Sequence, residues 1–169
     1  MLDPIDGTTN YAFGQHLWGV TVALLRQGKI VAGTIAMPEV DMHLAAEEGR
    51  GCSLNGRPLP PLRPGPVLPH EPMGHGTAAH ISRFERFAKA RHLGAFVAEA
   101  AYVCTQGLRA MTTGRVKLYD AAAGILMVRE LGGLSVHLDG GDYDEARWMK
   151  DDRCPPLYLG PTGHGLPLG

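Results

Sequence analysis

Excess charge of either sign is missing from this sequence: 16 Lys and Arg face 17 Asp and Glu, a formal net charge of −1. Such a balance leaves no electrostatic footprint for nucleic acid or for an anionic membrane, and neither is expected as a partner. Cysteine is scarce as well. Cys52, Cys104 and Cys154 are odd in number and widely spaced, so they suggest no disulfide framework and read as free thiols of a reducing, cytoplasmic setting. No apolar run reaches the length of a membrane span, and no basic segment followed by an apolar stretch opens the chain, so no signal peptide is visible. Internal repeats are absent. What is there, 44% hydrophobic and 20% charged residues over 169 positions, fits a one-domain globular protein with a sizeable core.

Strand and helix patterns alternate along the chain. Leu17–Leu25 and Lys29–Met37 are rich in Val, Ile and Thr, and Arg26-Gln27-Gly28 between them predicts a hairpin. Met42–Glu47 reads as a third strand with a turn at 49–51. Cys52–Leu59 contains Asn55-Gly56, the signal of a tight hairpin. The proline-rich stretch Pro60–Pro72 reads as an irregular connection. Ile81, Phe84, Phe87 and Ala88 recur at helical spacing, which predicts a helix over Ile81–Arg91. A second helix is predicted over Ala95–Gln106, ended by Gly107. A short strand is expected at Arg109–Thr113, and a third helix over Ala121–Leu131 with Asp120 as its N-cap. Late strands are expected at Leu134–Leu138 and Pro156–Leu159. The mixture fits an α/β or α+β class, with one domain over 1–160 and a flexible Gly/Pro tail over 161–169.

The chemistry concentrates in the first ten residues. In Asp3-Pro4-Ile5-Asp6-Gly7-Thr8-Thr9-Asn10, two carboxylates three residues apart on a turn can converge on one hard cation. The glycine and hydroxyls just after them can offer backbone N–H groups to a phosphate, and Thr8 or Thr9 can equally cap a helix. Much further along, Leu118-Tyr119-Asp120-Ala121-Ala122-Ala123-Gly124 precedes Glu130-Leu131-Gly132-Gly133.

These two segments, in this order, resemble the two signatures of the inositol monophosphatase family, with Tyr119 where the family has tryptophan. The resemblance runs from Leu2 to about residue 160 and is loosest between Pro60 and Arg91. It implies the layered αβαβα sandwich of the inositol monophosphatase/fructose-1,6-bisphosphatase type. It also implies that the chain is N-terminally truncated, with the first layers missing, together with a glutamate that binds metal and an aspartate that pairs with the motif threonine. By resemblance, Asp3, the carbonyl of Ile5, Asp6 and Asp120 bind Mg²⁺. Gly7, Thr8 and Asp120 hold phosphate or substrate, and Thr8 and Asp6 take part in catalysis. The implied reaction is Mg²⁺-dependent hydrolysis of a small phosphate monoester by metal-activated water. The implied substrate is an inositol monophosphate-like metabolite. Histidinol phosphate, fructose bisphosphate and a phosphoadenosine nucleotide are the alternatives, as is a catalytically inactive remnant. A homodimer is the implied assembly.

Two departures bear on selectivity. Thr113 stands where the inositol enzymes carry a glutamate, and Phe96 where they carry a small residue; both argue against tight inositol recognition. Other segments promise less. His70-Glu71-Pro72-Met73-Gly74-His75 has neither the spacing nor the helix a zinc site needs. Asp139–Asp144 shares only composition with a calcium loop and reads as a hairpin turn. Asp151-Asp152-Arg153 reads as a solvated loop.

Overall fold

The computed structural model describes residues 1–76, 86–114, 116–138, 145, 148–149 and 153–166. The first sheet is an antiparallel meander in sequence order: β1 (Leu2–Asp6), β2 (Gly19–Arg26), β3 (Lys29–Met37), β4 (Met42–Glu47), β5 (Cys52–Leu54) and β6 (Arg57–Pro58). Its local chemistry follows the sequence. Asn55 and Gly56 adopt φ values of 49° and 77°, the double left-handed conformation that a tight hairpin between β5 and β6 requires.

The second sheet is mixed, in the order β10-β11-β9-β7-β8. It is built from β7 (Pro72–His75), β8 (Lys89–Arg91), β9 (Ala110–Thr113), β10 (Leu134–His137) and β11 (Leu157–Gly160). β7 runs parallel to both β8 and β9, and β9, β11 and β10 are antiparallel.

Helices α2 (Phe96–Cys104) and α3 (Leu118–Glu130) pack on each other and touch strands of both sheets, so the molecule is layered sheet–helix–sheet. A helix sandwiched in this way must be apolar nearly all round. In α3, Ala121, Ala122, Ala123, Ile125, Met127 and Val128 are all fully buried. Small residues set the layer spacing: a Cβ on Gly33 of β3 would stand 2.8 Å from the Cα of Ala123. A short helix, α1 (Thr8–Ala12), follows β1.

Several expectations need correction. The Asp-x-x-Asp motif is a strand rather than a turn, paired with β2 at Asp3↔Thr21 and Asp6↔Gly19 with a register shift between. Pro4 is tolerated because β1 is an edge strand. The helix predicted over Ile81–Arg91 fails at its end, since Lys89–Arg91 form β8; its first part, 81–85, lies outside the described residues. Pairing with β7 overrides the helical period there. β7 itself, inside the His70–His75 segment read as a failed zinc motif, was not anticipated. Helix α2 is ended by Gln106, with φ 61°, rather than by Gly107. Asp120 does not cap α3: the helix begins at Leu118, Lys117 is its N-cap, and Asp120 lies in the first turn. Neither Thr8 nor Thr9 caps α1, whose N-cap is Gly7 with no side-chain cap. The segments 139–144 and 151–152 lie outside the described residues.

Candidate active site

The motif is locked in place by three local devices. Asp3 Oδ1 accepts from the Ile5 N–H at 3.0 Å, so the first carboxylate folds back on its own strand. Gly7 turns β1 into α1 at φ 83°, and a Cβ there would lie 2.7 Å from the Ala95 Cβ, so only glycine lets this turn seat against the start of α2. Asn10, buried in α1, donates from Nδ2 to the carbonyls of Leu17 at 2.6 Å and Leu93 at 2.8 Å, tying the motif to the chain that enters α2.

Asp6 is thereby carried to the N-terminus of α2, where helix N–H groups have no partner within the helix. Its Oδ2 accepts from the Val97 N–H at 2.6 Å. Burial nonetheless dominates and pushes its carboxyl up to about 6, with the Asp3 charge adding to the rise. Asp120 reaches the same place from the first turn of α3. Burial pushes it up to about 8, helped by the nearby carboxylates of Asp3 and Asp6. One of its oxygens, Oδ1, is buried without a hydrogen-bond partner.

A cavity of about 410 Å³ opens beside these carboxylates. Asp6, Glu99 and Asp120 line it together with His92, Lys117 and Arg153. Phe96 and Thr113, the two positions singled out for selectivity, also line it. Asp3, Ile5, Gly7 and Thr8 do not, although the charge of Asp3 helps to raise Asp120. Thr8 is exposed at the first position of α1. Arg153, read from the sequence as part of a solvated loop, borders the cavity instead.

Sequence reasoning missed Glu99. It is 1% exposed, accepts at Oε1 from the Leu93 N–H at 3.2 Å, and leaves Oε2 buried without a hydrogen-bond partner. Burial pushes it up to about 8, against the Leu93 bond and aided by the charge of Asp6. The signal was available: Glu99 is the one charged residue in the apolar segment FVAEAAYVC, and a lone charge in a buried helix needs a reason. His92 stands 3.9 Å from Glu99 and donates through Nδ1 to the His75 carbonyl at 2.6 Å.

The donors fit a hard divalent cation. They are carboxylate oxygens that raise one another's proton affinity, and one of them, Oδ1 of Asp120, is an orphaned buried acceptor. Among the described residues no three His, Cys, Asp or Glu side chains already stand in a closed metal-binding arrangement. Mg²⁺ retains several waters and so needs few protein ligands.

Comparison with known proteins agrees with this geometry. The sequence model of the inositol monophosphatase family matches residues 1–159. An inositol-1-monophosphatase of Mesorhizobium japonicum is 34% identical over 152 residues, covering 83% of this chain and 57% of that protein. A fructose-1,6-bisphosphatase/inositol-1-monophosphatase of Thermotoga maritima is 31% identical, with the same two coverages, 83% and 57%. The crystal structure of the extragenic suppressor protein suhB from Bartonella henselae superposes with a TM-score of 0.84 at 31% identity, over 96% of this chain and 67% of that one. The chain thus spans little more than half the length of the curated relatives it matches. Its fold is α+β of the type these structures share. Among the described residues no helix is long and apolar enough to cross a membrane.

Proposed function

Because this chain belongs to the inositol monophosphatase family, matched over residues 1–159, we propose that it carries the metal and phosphate site of an Mg²⁺-dependent phosphomonoesterase. The observation that supports this most is the meeting of Asp6 and Asp120 at one cavity, with the charge of Asp3 near enough to raise Asp120. These groups come from β1 and α3, far apart in sequence, and nothing in packing alone asks for such carboxylates there.

In this reading Asp3, Asp6, Asp120 and the carbonyl of Ile5 hold the cation. When bound, Mg²⁺ supplies a lowered pKa for a coordinated water and charge to offset the phosphoryl and leaving oxygens. The chain's own residues do the rest. The N–H of Thr8, at the open end of α1, faces no helical acceptor and is offered to a phosphoryl oxygen. The Thr8 hydroxyl and Asp6 orient the attacking water. The Gly7 N–H, one residue earlier, joins the Thr8 N–H at the phosphate. The leaving group lies in the 410 Å³ cavity, whose lining adds His92, Lys117 and Arg153 to the carboxylates. With Thr113 and Phe96 in place of the acidic and small residues of the inositol enzymes, the substrate is a small phosphorylated metabolite not restricted to inositol. Residues 1–160 act as one unit, in a cytoplasmic homodimer.

A second reading, a chain that binds phosphate esters without turning them over, is favoured by the open arrangement of the three aspartates. One experiment separates the two. Phosphate release from a panel of inositol, sugar, histidinol and nucleotide monoesters is measured with Mg²⁺ and with EDTA, beside Asp6→Asn. Metal-dependent release that Asp6→Asn abolishes supports hydrolysis. Mg²⁺-dependent binding of the same esters without release supports the second reading. Release that survives both EDTA and Asp6→Asn defeats the site assignment.

A further inference from the structure

The two helices that bring the carboxylates together meet at one bare spot. A Cβ on Gly124 of α3 would stand 2.8 Å from the Cβ of Ala100 and 2.9 Å from Cε1 of Phe96, with Cζ of Phe96 at 3.6 Å. The ring edge of Phe96 is therefore seated against the backbone of Gly124. Phe96 and Ala100 lie one turn apart on α2, and Asp120 and Gly124 one turn apart on α3, so each pair shares a helix face. The contact thus sits one turn from Asp120 and beside Val97, whose N–H holds Asp6. Phe96 is 8% exposed and lines the cavity that Asp6 and Asp120 border. The next residue along α3 from this notch is equally confined: a Cβ on Gly33 of β3 would meet the Cα of Ala123 at 2.8 Å.

We propose that Phe96 is a positioning residue for the cation site: its ring, seated against Gly124, sets how far the N-terminus of α2, with Asp6, stands from the first turn of α3, with Asp120. The role rests on the reading of these carboxylates as the Mg²⁺ site. An aromatic ring is rigid and a protein interior is close-packed, so the separation of two helices follows the side chain that lies between them. Mg²⁺ demands near-ideal octahedral geometry, so a change in the spacing of its carboxylates costs affinity. Ala100 meets the same glycine with a single methyl, one turn further into α2 and further from Val97. Both side chains stabilise the helix pair, but only Phe96 stands where the carboxylates do. Phe96 acts on the site through α3, without needing to touch the substrate.

The test is the Mg²⁺ affinity of the full chain, read by titration calorimetry, beside chemical denaturation in EDTA. Phe96→Leu takes the ring edge out of the notch, and its Mg²⁺ dissociation constant is expected to rise ~10-fold or more, as for groups that orient metal ligands. Ala100→Gly is the control. It thins the same interface and puts glycine in a helix, so it should destabilise the chain while leaving Mg²⁺ affinity at the wild-type level. Where Phe96→Leu does not fold, Phe96→Met decides. It keeps apolar volume in the notch but on a flexible chain, and the same loss of affinity is expected. A folded Phe96 variant that binds Mg²⁺ like the wild type would overturn the proposal. Equal losses of affinity in Phe96→Leu and Ala100→Gly would do so too, since the effect would then be one of stability alone. Wild-type protein that takes up no Mg²⁺ would defeat the metal reading itself, and the role of Phe96 with it.

Discussion

The N–H of Val97 donates to Oδ2 of Asp6 at 2.6 Å, across 91 residues of sequence. This one bond couples the edge strand that carries the acidic motif to the N-terminus of a core helix. It supplies an anion with a donor that the helix itself leaves unpaired. The bond is not strong enough to cancel burial, and the Asp6 carboxyl remains raised to about 6. The site is thus built at some cost in electrostatic energy without its cation.

Replacing Asp6 with asparagine separates function from fold. The amide oxygen can still accept from Val97, and the buried negative charge is gone. Metal-dependent phosphate release is expected to fall at least ~100-fold, since loss of a ligand should cost no less than loss of the groups that merely orient ligands. Thermal stability in EDTA should hold or rise. A variant that melts early and has lost activity would show instead that Asp6 is a structural residue.

The acidity of the site gives a pH dependence with a definite sign. Asp120 rises from 3.8 to about 8, Glu99 from 4.5 to about 8, and Asp6 from 3.8 to about 6. Each folded-state value lies above its unfolded one, so the folded chain binds more protons across this window. The stability these groups contribute is fully present below the unfolded values and is lost as pH rises through 6 towards 8. In EDTA the melting temperature should therefore decline between about pH 5 and about pH 8.5. Added Mg²⁺ should raise it more at the upper end, where it competes with fewer protons. Calorimetric scans with and without metal check both trends. A metal-free melting temperature that climbs over this range contradicts the raised carboxyls.

The sequence pointed to local turns more securely than to elements that depend on a distant partner. Asp3, Asp6 and Asp120 drew attention because their neighbours form two distinctive strings, and Asp6 and Asp120 line one cavity. The hairpins were legible from Gln27-Gly28 and Asn55-Gly56, whose backbone demands are local. What failed was whatever depends on a distant partner. Lys89–Arg91 carry a helical period and become a strand because Pro72–Gly74 lie alongside. The strand status of β1 depends on β2, whose Gly19 pairs with Asp6 and whose Val22 pairs with Leu2. Glu99 was hidden among alanines, and its importance comes from a cavity formed by loops and helices remote in sequence.

Gly33 tests the layer spacing. A Cβ there would meet the Cα and Cβ of Ala123 at 2.8 and 2.9 Å, and the first of these is helix backbone that cannot rotate aside. Gly33→Ala should push α3 from the first sheet and cost ~1–3 kcal/mol, the usual range for overpacking. Because α3 also carries Asp120, any surviving activity should drop as well. Chemical denaturation gives the first quantity, and phosphate release at a temperature where the variant is folded gives the second. A neutral substitution would mean that the helix and sheet are not in the close contact described.

Asn10 is the remaining joint, and its removal should be felt at the site through the backbone. Its side chain is 5% exposed and satisfies two carbonyls, those of Leu17 and Leu93. Asn10→Ala leaves both acceptors without their donor, and a stranded buried acceptor costs ~1–3 kcal/mol. Together with the small void, the loss should reach ~2–4 kcal/mol in urea unfolding. Asn10→Asp is the informative companion. It keeps the shape but presents acceptors to acceptors, so it should be at least as damaging as alanine near neutral pH and should recover when the new carboxyl is protonated. A pair of variants that unfold like the wild type would remove Asn10 from the account and leave Gly7 and the Asp3–Ile5 bond to position the motif.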